Sequence, residues 1–273
     1  MGRRALLSLT LAAALAQPGM AQDAGSGALP RLAVPPVPRP ETPAPTPGDD
    51  KAPPSSGALI PPEAYDRPVT PLGITRPPAF ESLRESDFDH AACRLGLVML
   101  GVDHAEVPPL ADPDQRDCGI ARPVELRTIQ PGIAVEGSPV LRCDTARALA
   151  LWLREMVVPA ASRLPGSPHL TSVITGPGYA CRGVVSGSSG ARISEHALGN
   201  AIDIAGFGFD DGSRIEIAPP ADRGDLAAAF QNAVQGSACL YFATVLGPGS
   251  NAAHDDHLHL DIKARQGGFR LCQ

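Results

Sequence analysis

The sequence predicts an α+β domain with a small, mostly antiparallel sheet flanked by helices and stapled by disulfides. Three observations carry this reading. Helical and period-two apolar segments follow one another in mixed order after about residue 80, the stretch FDDGSR reads as a hairpin turn, and six cysteines lie at scattered spacings. Such an order fits α+β better than repeated βαβ units.

The helices come from apolar positions at helical spacing. About Asp89 to Leu100 is the first. Asp144 to Val158 is the second, with Asp144 as cap and Leu149, Trp152, Leu153 and Met156 on one face; about Asp225 to Gln235 is the third. Strand-like segments are His169 to Ile174, Asn200 to Ala205, Ile215 to Ala218, Ala243 to Leu246 and His257 to Ile262. Aromatic residues are 4% of the chain, so the core rests on Leu, Val, Ile and Ala.

The N-terminus places Arg3 and Arg4 before a short apolar run and puts Gly19 and Ala21 at cleavage spacing, which predicts a signal peptide over 1–21. That run is too short to span a bilayer, and no later segment is long and apolar enough to do so. Residues 22–79 are a proline-rich linker: the stretch Asp23 to Ala79 holds 16 of the 30 prolines. Such a segment buries too little apolar surface to offset ordering and extends as a polyproline II tether, with a reach on the order of 100 Å or more. The folded domain is expected over 80–273. A periplasmic or secreted location follows from the leader.

Cysteine usage agrees with an oxidising compartment. Cys93, Cys118, Cys143, Cys181, Cys239 and Cys272 include no CxxC pair and read as three disulfides. Fifteen pairings are possible. Proximity, and a tied C-terminus, suggest Cys93 with Cys118, Cys143 with Cys181, and Cys239 with Cys272. A net charge of -6 argues against nucleic acid or an anionic membrane as partner, and the chain is taken as a monomer without a membrane span.

The chemistry concentrates in SEHALGNAID and HDDHLHLD, which hold four of the seven histidines. Alternation in NAIDIAG puts Ile202 and Ile204 on one face and Asp203 on the other, among small residues. In HLHLDI it puts Leu258, Leu260 and Ile262 toward a core and His257, His259 and Asp261 away from it. His196 falls in the turn before the first strand, where Gly199 lets the backbone bend. If the two strands are neighbours, His196, Asp203 and His259 surround one Zn2+ and leave its fourth position for water, as a catalytic rather than a structural site requires.

SEHALGNAID resembles the SxHxxGxAxD signature of the D-Ala-D-Ala carboxypeptidase and dipeptidase family of zinc peptidases, within the lysostaphin, D-Ala-D-Ala metallopeptidase and hedgehog-type fold. The stretch from about Cys93 to Cys272, with GYACR, SEHALGNAIDIAGF and HDDHLHLD, resembles the bacterial extensin-like C-terminal domain family. The resemblance implies His196, Asp203 and His259 as zinc ligands and peptidoglycan stem peptide as substrate. It leaves the general base open between His257, the first histidine of HxH, and Asp256, which stands where the peptidases carry the glutamate of ExxH. Alternation ranks His257 first. GYACR is similar to the SGYRS element of those peptidases and implies Arg182 as the group that steadies a carboxylate or oxyanion, with Arg192 the second candidate.

Ser194 is expected to hold the loop through a backbone hydrogen bond; His254, Asp255 and Asp261 are read first as polar, exposed residues, with support of the ligands as the alternative. His90, His104 and His169 are read as structural or solvated. The sequence thus points to an exported zinc peptidase of the D,D-carboxypeptidase or endopeptidase type. The rival readings are a non-catalytic zinc domain that binds envelope ligands and a disulfide-stabilised module that holds no metal.

Overall fold

A computed structural model describes residues 76–184, 192–219 and 225–273. The signal peptide expected over 1–21, and all of the expected linker before residue 76, lie outside the described residues. Just ahead of the first helix, the Ala79 backbone N–H donates to Asp117 Oδ1 at 2.9 Å.

Helix α1 (Asp87–Met99) starts where Ser86 caps it, its hydroxyl accepting from the Asp89 N–H. Six strands follow before the next helix: β1 (Asp103–Glu106), β2 (Leu110–Ala111), β3 (Gly119–Ile120), β4 (Pro123–Gln130), β5 (Ile133–Glu136) and β6 (Val140–Arg142). The rod α2 (Cys143–Trp152) then runs through a π turn (Leu153–Val157) into the short α3 (Val158–Ala161). Pro159 lies at the start of α3. Its missing N–H accounts for the widened turn just before it. Asp144 is not the cap that was expected. Arg142 occupies the cap position, and Asp144 sits in the first turn, where the exposed N–H groups favour a carboxylate.

The second half supplies β7 (Leu170–Thr175), β8 (Ala201–Phe209), β9 (Arg214–Glu216), α4 (Leu226–Ala238), β10 (Thr244–Leu246), β11 (Leu258–Asp261) and β12 (Leu271–Cys272). Asp225 caps α4 by accepting from the Ala228 N–H at 2.8 Å. The main sheet runs β1-β4-β5-β7-β8-β11-β10-β12, with β6 on β4 and β9 on β8; β2 and β3 pair separately. Ten strands among the described residues make it larger than the small sheet expected. Pairing is antiparallel except for β5–β7 and β10–β12, so the class is α+β with a mixed sheet. The FDDGSR turn joins β8 to β9, with Gly212 at φ 81.

The core lies between this sheet and α2 and α4. Trp152 contacts Phe207 and Phe242, and Phe230 packs edge-on against Phe207. The Trp152 indole N–H donates to the Val234 carbonyl at 3.2 Å, so the buried ring keeps its polar atom satisfied.

Three disulfides close the fold, and two expected pairings are wrong. Cys93 bonds Cys143 and Cys118 bonds Cys181, instead of Cys93–Cys118 and Cys143–Cys181; Cys239–Cys272 is as expected. Nearness in sequence was the misleading criterion. Packing of α1 on α2 brings the Cα atoms of Cys93 and Cys143 within 6.2 Å, inside the reach of a disulfide.

Candidate metal centre

Strands β8 and β11 are antiparallel neighbours, and their register sets His259 directly opposite Asp203. Alternation does the rest. Ile202, Ile204, Leu258 and Leu260 are fully buried on one face, while Asp203 and His259 project from the other. His196 reaches the same point from a 3-10 turn (Glu195–Leu198). Ser194 caps that turn, accepting from the His196 N–H, and Gly199 ends it at φ 66. A side chain at Gly199 would meet Ile120 Cδ1 at 2.4 Å, so the residue needs both its left-handed backbone and its missing Cβ.

Three atoms able to bind a metal converge. His196 Nε2, His259 Nδ1 and Asp203 Oδ1 form a triangle whose three sides are each 3.1 Å. The side chains are 1%, 12% and 16% exposed, respectively. Tetrahedral zinc with bonds of ~2.0–2.2 Å sets its ligand atoms roughly 3.3 Å apart, so the triangle has a fitting size.

The hydrogen bonds behind the rings sharpen that fit. His196 Nδ1 donates to the Gly178 carbonyl at 3.2 Å, and His259 Nε2 donates to Asp261 Oδ2 at 3.3 Å. Because a carbonyl and a carboxylate only accept, each outer nitrogen carries the proton of the neutral ring. Both inner nitrogens then present lone pairs to one another and to Asp203 Oδ1. Three lone pairs at this separation repel, and a cation among them removes the conflict. With no metal, the same field draws in a proton. Burial works to lower the His259 pKa, but its hydrogen bonds to Asp203 and Asp261 outweigh that and raise it to about 9. For Asp203, burial works upward and the bonds from His196 and His259 win, holding the carboxyl far below its usual range.

His257 precedes β11 and points at the same place, with Nε2 3.8 Å from Asp203 Oδ1. Its Nδ1 lies 2.8 Å from Asp256 Oδ1. The bond to His257 comes first among the influences that lower the Asp256 pKa. The two candidates for the base therefore stand in series: the imidazole is 23% exposed and faces the triangle, while Asp256 is 89% exposed and bonds the far nitrogen. His254 completes a cluster of rings, its centroid 5.2 Å from that of His257 and 5.8 Å from that of His259, with Nδ1 on Asn251 Oδ1. Burial, then the neighbouring histidines, lower its pKa.

Arg182 and Arg192 line a cleft of about 420 Å³ beside the triangle, together with His254 and His259. The segments that carry the two arginines pair with each other, the Ser194 N–H donating to the Arg182 carbonyl at 2.9 Å. The disulfide Cys118–Cys181 anchors the first of them next to β3. Asp255 is the C-cap of the turn Ala252–His254. His90, His104 and His169 bond Glu106, the Val102 carbonyl and Asp210, outside the cluster.

Some contributors left no trace in a residue-type reading. Gly178 acts through its carbonyl, and a Cβ there would lie 2.6 Å from the Val140 carbonyl oxygen, so only glycine brings this backbone close enough. The repeated glycines of GPGY were the available signal. Lys263 and Asn200 fix Glu195 at 2.6 and 2.8 Å and thereby brace the turn bearing His196.

The fold and this cluster define a disulfide-bonded α+β domain with a His–Asp–His grouping on one sheet face. Residues 91–273 match the family described as extensin-like protein C-terminus, and the chain belongs to that family. No curated protein and no solved structure matches it.

Proposed function

We propose that this chain is an exported zinc-dependent peptidase that cleaves peptide bonds in peptidoglycan stem peptides, of the D,D-carboxypeptidase or endopeptidase type. The observation that carries the proposal is the 3.1 Å triangle of His196, Asp203 and His259 with the His257 imidazole turned toward it. His196, Asp203 and His259 would hold the metal. Bound there, zinc would supply Lewis acidity toward a substrate carbonyl and make a water molecule more acidic.

The chain's own groups then have distinct tasks. His257 takes the proton of the attacking water at Nε2, because Nδ1 is committed to Asp256. Asp256 orients the ring and stabilises the imidazolium that forms, which makes His257 the base and Asp256 its support. Arg182, on the cleft wall, offers a planar fork to a substrate carboxylate or to the developing oxyanion. The choice of stem peptides, and a relation to the D-Ala-D-Ala peptidase and hedgehog-type fold, rest on the resemblance of SEHALGNAID and GYACR. Three disulfides are compatible with a periplasmic or secreted protein.

Purified protein assayed for zinc content and for hydrolysis of muropeptides tests the reading. His257→Ala is expected to keep the metal and to lose roughly 10²–10⁴-fold in kcat, the usual share of a general base. Asp256→Asn is expected to lose less. Protein that takes up zinc but cleaves nothing would favour the binding domain; protein that takes up no zinc would remove the metal centre altogether.

A further inference from the structure

Behind the His259 ring stands a directed chain of hydrogen bonds, buried at Thr244–Asp261 and half-buried at its other links. His259 Nε2 meets Asp261 Oδ2 at 3.3 Å. Asp261 Oδ1 accepts from the Thr244 hydroxyl at 2.7 Å and from the Lys263 N–H at 3.0 Å. Thr244 Oγ1 in turn accepts from Arg265 Nη2 at 2.6 Å, and Arg265 Nη1 is fixed on the Ala243 carbonyl at 2.8 Å. Pairing of β10 with β11 sets Thr244 opposite Asp261, so the chain is built into the sheet register. Asp261 and Thr244 are only 4% and 3% exposed, leaving little room for water to substitute.

Each bond has one allowed direction. A guanidinium only donates, so the Thr244 oxygen accepts from Arg265 and turns its hydrogen to Asp261. With two donors already on Oδ1, Asp261 remains an acceptor, and the proton between it and His259 belongs to Nε2. The lone pair is thereby assigned to Nδ1, the atom that faces His196 and Asp203.

The geometry points to Thr244 and Arg265 as positioning residues that hold His259 in the ring orientation and tautomer presenting Nδ1, and so set the affinity of the site for zinc. This rests on the metal reading proposed above and goes beyond it in naming residues outside the ligand set. Neither residue is a corner of the triangle. A hydroxyl at 244 without Arg265 can rotate, and Asp261 without the hydroxyl keeps only the Lys263 N–H on Oδ1.

The test is zinc affinity, measured by competition with a chromophoric chelator, beside thermal melts of the chelated proteins. Thr244→Val keeps shape and removes the hydroxyl. It is expected to weaken zinc binding by roughly 10–100-fold, the usual effect of losing a group that supports a metal ligand. Thr244→Ser should bind as wild type does. Arg265→Met should weaken binding in the same range, and the double variant should be no weaker than the worse single one, because both act on one chain. Arg270→Met is the control: Arg270 ties the same C-terminal region through the Cys239 and Phe242 carbonyls, and its loss should lower the melting temperature without changing zinc affinity. Equal affinities of wild type, Thr244→Val and Arg265→Met would overturn the inference while leaving the metal centre standing. An Arg270→Met variant as weak as Arg265→Met would overturn it too, by showing general loosening. A wild-type protein that binds no zinc would sink the metal reading itself.

Discussion

Gly178 shows how much of the site depends on a residue without a side chain. Its carbonyl assigns the proton of His196 to Nδ1, and it can do so only because the segment presses against β6. A methyl group placed there would meet backbone at 2.6 Å and Leu141 Cδ2 at 2.7 Å, and the backbone contact cannot give way cheaply. Gly178→Ala is therefore expected to cost about 1–3 kcal/mol in stability. It should also weaken metal binding, since the carbonyl moves from His196. Gly176→Ala is the useful contrast: its Cβ would stand 3.3 Å from Asp203 Cβ, a tight contact but not a collision. Denaturant melts and metal titration of the pair check this, and equal effects at the two glycines would contradict it.

At the scale of elements, legibility followed regularity. Strands β8 and β11 could be read because four apolar residues alternate strictly with Asp203 and His259, and one face is fully buried. Several of the first six strands were invisible for the opposite reason. In β4, Val124 and Leu126 alternate, but the register shifts between Thr128 and Gln130 and Ile129 is buried out of phase. Strands β2 and β3 have two residues each and β6 has three, too few to show a period. Disulfide pairing is a tertiary property that composition does not hold, which is why Cys118–Cys181 was missed. That bond matters to the site, since Cys181 adjoins Arg182 and ties its segment to the start of β3. It closes a loop of 63 residues, for which chain entropy implies about 4 kcal/mol. Replacing both cysteines by serine should lower stability by up to that amount. Zinc affinity should fall less than in Gly178→Ala, because His196, Asp203 and His259 all lie outside the released segment. Chemical denaturation beside metal titration separates the two effects, and a large loss of zinc affinity would show that the segment shapes the triangle.

For the molecule as a whole, the cluster links stability to pH, and the sign reverses with metal. In metal-free protein His259 has a pKa of about 9 when folded against 6.5 in the reference state, so the folded form holds the proton more tightly. The stability this contributes is fully present below pH 6.5 and is lost as pH rises toward 9. Asp203 and Asp261 move the other way. Burial works to raise both, but hydrogen bonds outweigh it, led by His196 and His259 for Asp203 and by His259 and Thr244 for Asp261. Their contribution is present above the reference value of 3.8 and fades as pH falls below it. Because Asp203 and His259 share one interaction, it counts once, as a few kcal/mol at most. A metal on Nδ1 needs that nitrogen bare, so binding expels the proton and strengthens as pH rises. If zinc binds the folded form there, stabilisation by excess zinc should then grow from pH 6.5 to 9 just as the chelated protein weakens. Melting temperatures with excess zinc and with chelator, taken at intervals from pH 5 to 9, should diverge above pH 6.5. Parallel curves would mean that His259 does not exchange a proton for a metal, and would remove the cation from the centre of the His–Asp–His triangle.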